Sequence, residues 1–218
     1  MAEEKKPVKT KKVRQAKSTK KVEFPNKYWI VSADFSLRRP GFFSMHVTRN
    51  EDGSVELTKI KSACVDNKTD KVKSHGEILD EIFYALGDFK PHIRYGEGAY
   101  DPIFYVREHA FNARGAMSEM GIFEVVGVSN FWAYQHGKAE WHEIYPVTVK
   151  KLITGNAKAQ KSQVENCVIK YYTPDHTYQN DDESDAAAIA FAWLIQNGQI
   201  KPAIVPEIKQ AKEKRKDE

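Results

Sequence analysis

At 218 residues, with 41% hydrophobic and 11% aromatic side chains, the chain can bury one substantial core, and no apolar run approaches the roughly 18 residues of a membrane span. The formal charge of +4 is unevenly spread: residues 5–21 hold nine of the 34 Lys and Arg and no acid, which leaves residues 22–218 with 25 basic against 28 acidic side chains. The two cysteines, Cys64 and Cys167, lack metal-ligand spacing and exclude a disulfide framework; they read as reduced thiols in a reducing compartment.

Residues 1–23 form a basic arm too poor in apolar side chains to build a core, so disorder is expected there. No apolar segment follows its charges, so it is not a secretory signal. It reads either as a grip for a polyanion or as a solvated tail. Ordered chain is expected over residues 24–200. Residues 201–218 mix charges of both signs and read as a tail.

The first strand is predicted in YWIVSAD, residues 28–34, a mostly apolar run that ends on Asp34. A second runs from Gly41 to Thr48. The Asp52-Gly53 turn leads into a third, Val55 to Ile60. Apolar residues at Ile78, Ile82, Phe83 and Leu86 have helical spacing, and Pro91 stops that helix after Phe89. A fourth strand is predicted over His92–Glu97, which makes a βαβ unit with a parallel pair. Residues from about Gly115 to His136 read as one long helix, although IFEVVGV has strand propensity. Trp141 to Tyr145 is the fifth strand. Pro146 then opens a short helix through Leu152. Ala159–Tyr172 and Asp182–Gln196 complete the helices. Three antiparallel strands followed by a helix and two more strands predict an α/β RNase H-like fold: a mixed five-stranded sheet with helices on both faces. That order alone does not establish function.

Asp182 and Asp185 stand three residues apart, on one face of the last helix. Like charges so placed repel unless solvent, a cation or a proton intervenes. Asp34 ends a buried strand, where ligands of open α/β sheets bind. Glu97 lies between Gly96 and Gly98, which permit close approach of a ligand. Acids delivered by two strands and a helix suit a hard cation. Each alone is also explicable as a turn, loop or helix-start acid. Lys150, Lys151, Lys158 and Lys161 surround a Thr-Gly-Asn turn and can meet phosphates by charge and through backbone N–H groups; ordinary surface lysines are the alternative.

The segment VKKLITGNAKAQKSQV resembles the VKK…TG…A.KxQV segment of RuvC-type Holliday-junction resolvases, and DESDAAAIA resembles their DxxDALAIA. An early Asp and a fourth-strand Glu complete the pattern across roughly residues 28–195. The resemblance implies that Asp34, Glu97, Asp182 and Asp185 are catalytic acids holding two Mg²⁺ ions, with Mn²⁺ as a substitute. It places Lys150 and Lys161 near the scissile phosphate, with Lys161 catalytic. Tyr100, three residues after Glu97, stands where the family has an aromatic that meets junction bases. The implied activity is hydrolysis of symmetric strands of a four-way junction by a homodimer, leaving 5′-phosphates, in the cytoplasm or another reducing, DNA-containing compartment. A less selective branched-DNA nuclease and an inactive junction-binding protein are the alternatives. Ala157 departs from the Gly of many members, and Asp181 competes with Asp182 as the third acid.

Overall fold

The computed structural model describes residues 22–65, 73–90, 100–109, 116–137 and 139–204, with the side chains of 116–120 left out. The predicted arm falls almost wholly outside these residues, as does most of the tail.

The sheet has five strands in the order β3-β2-β1-β4-β5. They are β1 (Lys27–Asp34), β2 (Gly41–Arg49), β3 (Val55–Cys64), β4 (Ile103–Glu108) and β5 (Trp141–Ile144). The first three pair antiparallel, while β4 lies parallel to both β1 and β5. The mixed sheet and its RNase H-like topology are those expected from the sequence. The fourth strand is elsewhere. The predicted strand at residues 92–97 lies outside the described residues, and the strand beside β1 is IFYVRE. Its aromatic and β-branched residues carry strand propensity, but which of two neighbouring segments pairs with β1 is a long-range property that local propensity does not fix.

Strand β1 is central because both of its faces are apolar. Tyr28 and Ile30 enter one core with Phe43, Val106 and the last helix; Trp29, Val31 and Ala33 enter the other with Ile82, Leu86, Val125 and Trp132. Ser32, fully buried, donates to the Ala186 carbonyl at 2.6 Å, which removes the cost of an unpaired hydroxyl.

Helices α1 (His75–Phe89) and α2 (Ala116–Gln135) cover the second core. Ser74 caps α1 through a capping box with Glu77. The opposite face carries α3 (Pro146–Thr154), α4 (Lys161–Cys167) and α5 (Asp181–Gln196). Pro146 starts α3, and Gly155 ends it with φ 75°, a left-handed cap. Gln160 is the cap of α4, which therefore begins two residues later than predicted and runs into a π-helical turn, Val168–Tyr172.

Helix α5 is buried along nearly its whole length, from Ala186 to Leu194. Five alanines there bring its axis close to the sheet. The Asn180 side chain accepts from the Glu183 N–H at 3.1 Å and fixes the start of the helix. At the same end a methyl group on Gly41 would overlap the Asp182 carbonyl, so β2 and α5 are in backbone contact. That contact locks the first turn of α5 against the carboxyl end of β1.

Candidate active site

Parallel pairing decides which acids meet. Ala33 is opposite Arg107 in the β1–β4 ladder, so the next residues, Asp34 and Glu108, end adjacent strands side by side. Asp185, in the second turn of α5, and Lys161, the first residue of α4, close the other side. Asp34, Glu108, Asp185, Lys150 and Lys161 line one open cleft over an apolar floor that includes Val149, Val164 and Ile189.

The carboxyl groups share a crowded, poorly solvated place. Burial, then the charge of Asp185, pushes Asp34 up to about 6, with Lys161 pulling the other way. Burial, then Asp34 and Asp185, pushes Glu108 up to about 7 against Lys161 and Lys150. Burial also raises Asp185, though its bond from Lys161 opposes this. Lys161 Nζ donates to Asp185 Oδ2 at 2.6 Å. Burial works against its charge, but Asp185 prevails and holds the ammonium at about 12.

Negative charge concentrated this way calls for a cation. The donors are hard carboxylate oxygens, which suit Mg²⁺ or Mn²⁺. Among the described residues no three acid, His or Cys side chains are drawn close enough to cage an ion as they stand. Two basic side chains hold the acids instead: Lys161 on Asp185, and Arg39 on Asp182. The carboxylates of Asp34, Glu108 and Asp185 are the donors here that fit a divalent ion.

Asp34, Asp185, Lys150 and Lys161 thus come together as the sequence suggests. Asp182 lies one turn before Asp185, outside the cleft lining, with its Oδ2 3.0 Å from Arg39 Nε. Lys151 and Lys158 are exposed and do not line the cleft. In the Thr154–Asn156 turn, Asn156 N–H donates to Thr154 Oγ1 and Lys158 N–H to Asn156 Oδ1, so these amides already have partners. Glu97 lies outside the described residues; the acid that ends the strand beside β1 is Glu108. Tyr100 is fully exposed in the turn before β4, at the opposite end of the sheet from Asp34, so it is not part of this site. Sequence reasoning missed Glu108, whose signal is an acid closing an aromatic strand, IFYVRE. It also missed Arg39, for which the sequence carries no comparable signal.

Glu108 is flanked by residues that belong to a network behind the cleft. Arg107 is 5% exposed and donates to Glu143 Oε1 at 2.7 Å, to Ser129 Oγ at 2.9 Å and to Asn130 Oδ1 at 2.9 Å. His109 Nδ1 lies 2.6 Å from Glu143 Oε2, and the His109 backbone N–H donates to the Ile144 carbonyl at 2.8 Å. The residues on both sides of Glu108 are therefore tied to β5, and Arg107 also to α2.

Residues 30–193 match the family model described as crossover junction endodeoxyribonuclease RuvC. The protein of that name from Helicobacter pylori (strain P12) is 29% identical over 159 residues, which cover 73% of this chain and 80% of that one. Its namesake from Prochlorococcus marinus subsp. pastoris is 29% identical over 177 residues, 78% of this chain and 98% of the other. The Thermus thermophilus RuvC structure superposes with a TM-score of 0.57 at 16% identity, covering 80% of this chain and 99% of that one. The same protein in complex with a Holliday junction substrate gives 0.56 at 15% identity, with the same coverage. Those two likenesses establish the fold, and the family match, spanning both strand-end acids and most of the last helix, establishes descent: the chain belongs to the crossover junction endodeoxyribonuclease RuvC family.

Proposed function

We propose that this protein is a divalent-metal-dependent endonuclease that cuts four-way DNA junctions. The observation that carries the reading is the convergence of Asp34, Glu108 and Asp185 with Lys161 in one open cleft. Bound Mg²⁺ or Mn²⁺, two per site as in the mechanism of paired ions, supplies activation of the attacking water and charge neutralisation at the phosphate. Asp34, Glu108 and Asp185 would hold the first ion. Lys161, which in this structure donates to Asp185, stands where its ammonium would compensate charge that accumulates on a non-bridging phosphate oxygen in the transition state. Lys150 attracts the DNA backbone to the cleft. In the balanced reaction water adds to phosphorus as the P–O3′ bond breaks; the leaving oxygen takes a proton to become a 3′-hydroxyl, and the other product keeps a 5′-phosphate.

The family's aromatic three residues after its strand-four Glu falls, counted from Glu108, on Phe111, which lies outside the described residues. Two symmetric cuts need two sites, and a two-fold homodimer provides them. Helices α1 and α2 expose Tyr84, Phe123, Phe131 and Tyr134, each more than half accessible, and this aromatic face suits such a seam. The basic arm adds sequence-independent affinity for the DNA backbone. Both cysteines are free thiols, and no helix among the described residues is long and apolar enough to cross a membrane. These features fit a reducing, DNA-containing compartment such as the cytoplasm.

Replacing Asp185 with Asn tests the reading. Junction cleavage should vanish while junction binding persists. Unchanged cleavage would rule the cleft out as the catalytic centre.

A further inference from the structure

Asp182 is turned to a cation that the chain itself supplies. After Asp34 the chain leaves β1 through residues 35–40. There Arg39 N–H donates to Ser36 Oγ at 2.9 Å, which closes a tight turn. Gly41 then brings the chain into backbone contact with the first turn of α5. This contact brings Arg39 Nε to 3.0 Å from Asp182 Oδ2 and its Nη2 to 3.9 Å from Asp181 Oδ1. Arg39 and Asp182 are largely shielded, with side chains 21% and 19% exposed. Yet Arg39 Nε meets no well-aligned acceptor. The pair is held by charge and proximity rather than by the two-pronged bonding a guanidinium can make to a carboxylate.

We infer that Arg39 is a resident counter-cation that keeps Asp182 from serving as a metal ligand in the DNA-free protein, so that a second divalent ion binds only by displacing it. The inference rests on the metal-dependent reading above. The first ion needs Asp34, Glu108 and Asp185, none of which pairs with Arg39 in this structure. The second needs Asp182, one helical turn from Asp185 on the same face. A phosphate of bound DNA gives the guanidinium a better, bidentate partner and releases Asp182. Arrival of DNA and occupancy of the second position are thereby coupled, and the coupling is reciprocal. Arg39 acts through Asp182 and is a positioning residue.

The test is Mn²⁺ binding to the DNA-free protein by calorimetry and by electron paramagnetic resonance, with folding checked by thermal melting. Wild type should bind one ion tightly and a second one weakly. Arg39→Gln should tighten the second site by about 10-fold, within the usual range of coupling between sites, and leave the first unchanged. Arg39→Lys, which keeps the charge, should resemble wild type. Asp182→Asn should lose the second ion and keep the first, which gives an independent reading if Arg39→Gln does not fold. Two equally tight ions in wild type, an unaltered second site in Arg39→Gln, or both ions retained in Asp182→Asn would overturn the role of Arg39. Wild type that binds no Mn²⁺ at all would instead defeat the metal-dependent reading itself.

Discussion

Asp34 and Glu108 occupy corresponding positions at the ends of two adjacent parallel strands, one step beyond the Ala33–Arg107 pair. Their neighbourhood is fixed by the sheet, before any loop is placed. Glu108→Gln should therefore lower junction cleavage by roughly 100-fold or more, since even outer residues of a metal site are worth about 10–100-fold. Glu97→Gln should change the rate by no more than about twofold, because Glu108 already supplies the acid that ends the strand beside β1. Steady-state cleavage of a labelled junction by both variants checks this, and the opposite ranking would move the site to the segment before β4.

The raised acids make a signed statement about pH. A carboxyl held above its unfolded value binds its proton more tightly in the folded state. Its favourable contribution is complete below the unfolded value and is lost as pH rises through the folded one. For Asp34 and Glu108 that window runs from about 4 to about 6 and about 7. The metal-free protein should lose on the order of a few kcal/mol across it, at about 1.4 kcal/mol per pKa unit. Mg²⁺ binds the ionised forms, so its rise in Tm should be large at pH 8 and small at pH 5. A metal effect independent of pH would show that these carboxyls are not its ligands.

The Arg107–Glu143 pair supports Glu108 from behind. Glu143→Leu would leave a nearly buried guanidinium with only Ser129 and Asn130 as acceptors; because Glu143 is itself a third exposed, the loss should be about 1–3 kcal/mol, short of the penalty for a fully buried pair. Glu143→Gln retains an acceptor and should cost less. Urea denaturation of both variants measures the difference; equal and small losses would show that the network carries little of the fold.

The aromatic face of α1 and α2 should be the dimer seam. Phe123→Glu combined with Phe131→Glu should give a monomer in analytical ultracentrifugation with Tm nearly unchanged, because both rings are more than half exposed. A dimer that survives both charges would place the seam elsewhere.

Most elements were legible because their signals are local. A mostly apolar run marks β1, the Asp52-Gly53 turn marks the β2–β3 hairpin, Pro146 marks the start of α3, and the three alanines after Asp185 imply a helix packed tightly on the sheet. Asp34 and Asp185 followed from their places at a strand end and a helix start. Glu108 did not, because the choice between two acids near a predicted strand depends on which segment pairs with β1, and pairing is a long-range property. Arg39 was illegible for a related reason. Its partner lies more than a hundred residues away, and only the backbone contact at Gly41 brings the two together.

The most direct measurement is cleavage of an immobile four-way junction and of a matching linear duplex, each with Mg²⁺ and with EDTA. The expected result is paired, symmetric nicks with 5′-phosphate ends, in the junction only and only with metal. Tight junction binding without cutting under Mg²⁺ or Mn²⁺, or equal cutting of junction and duplex, would contradict a junction-selective, metal-dependent nuclease.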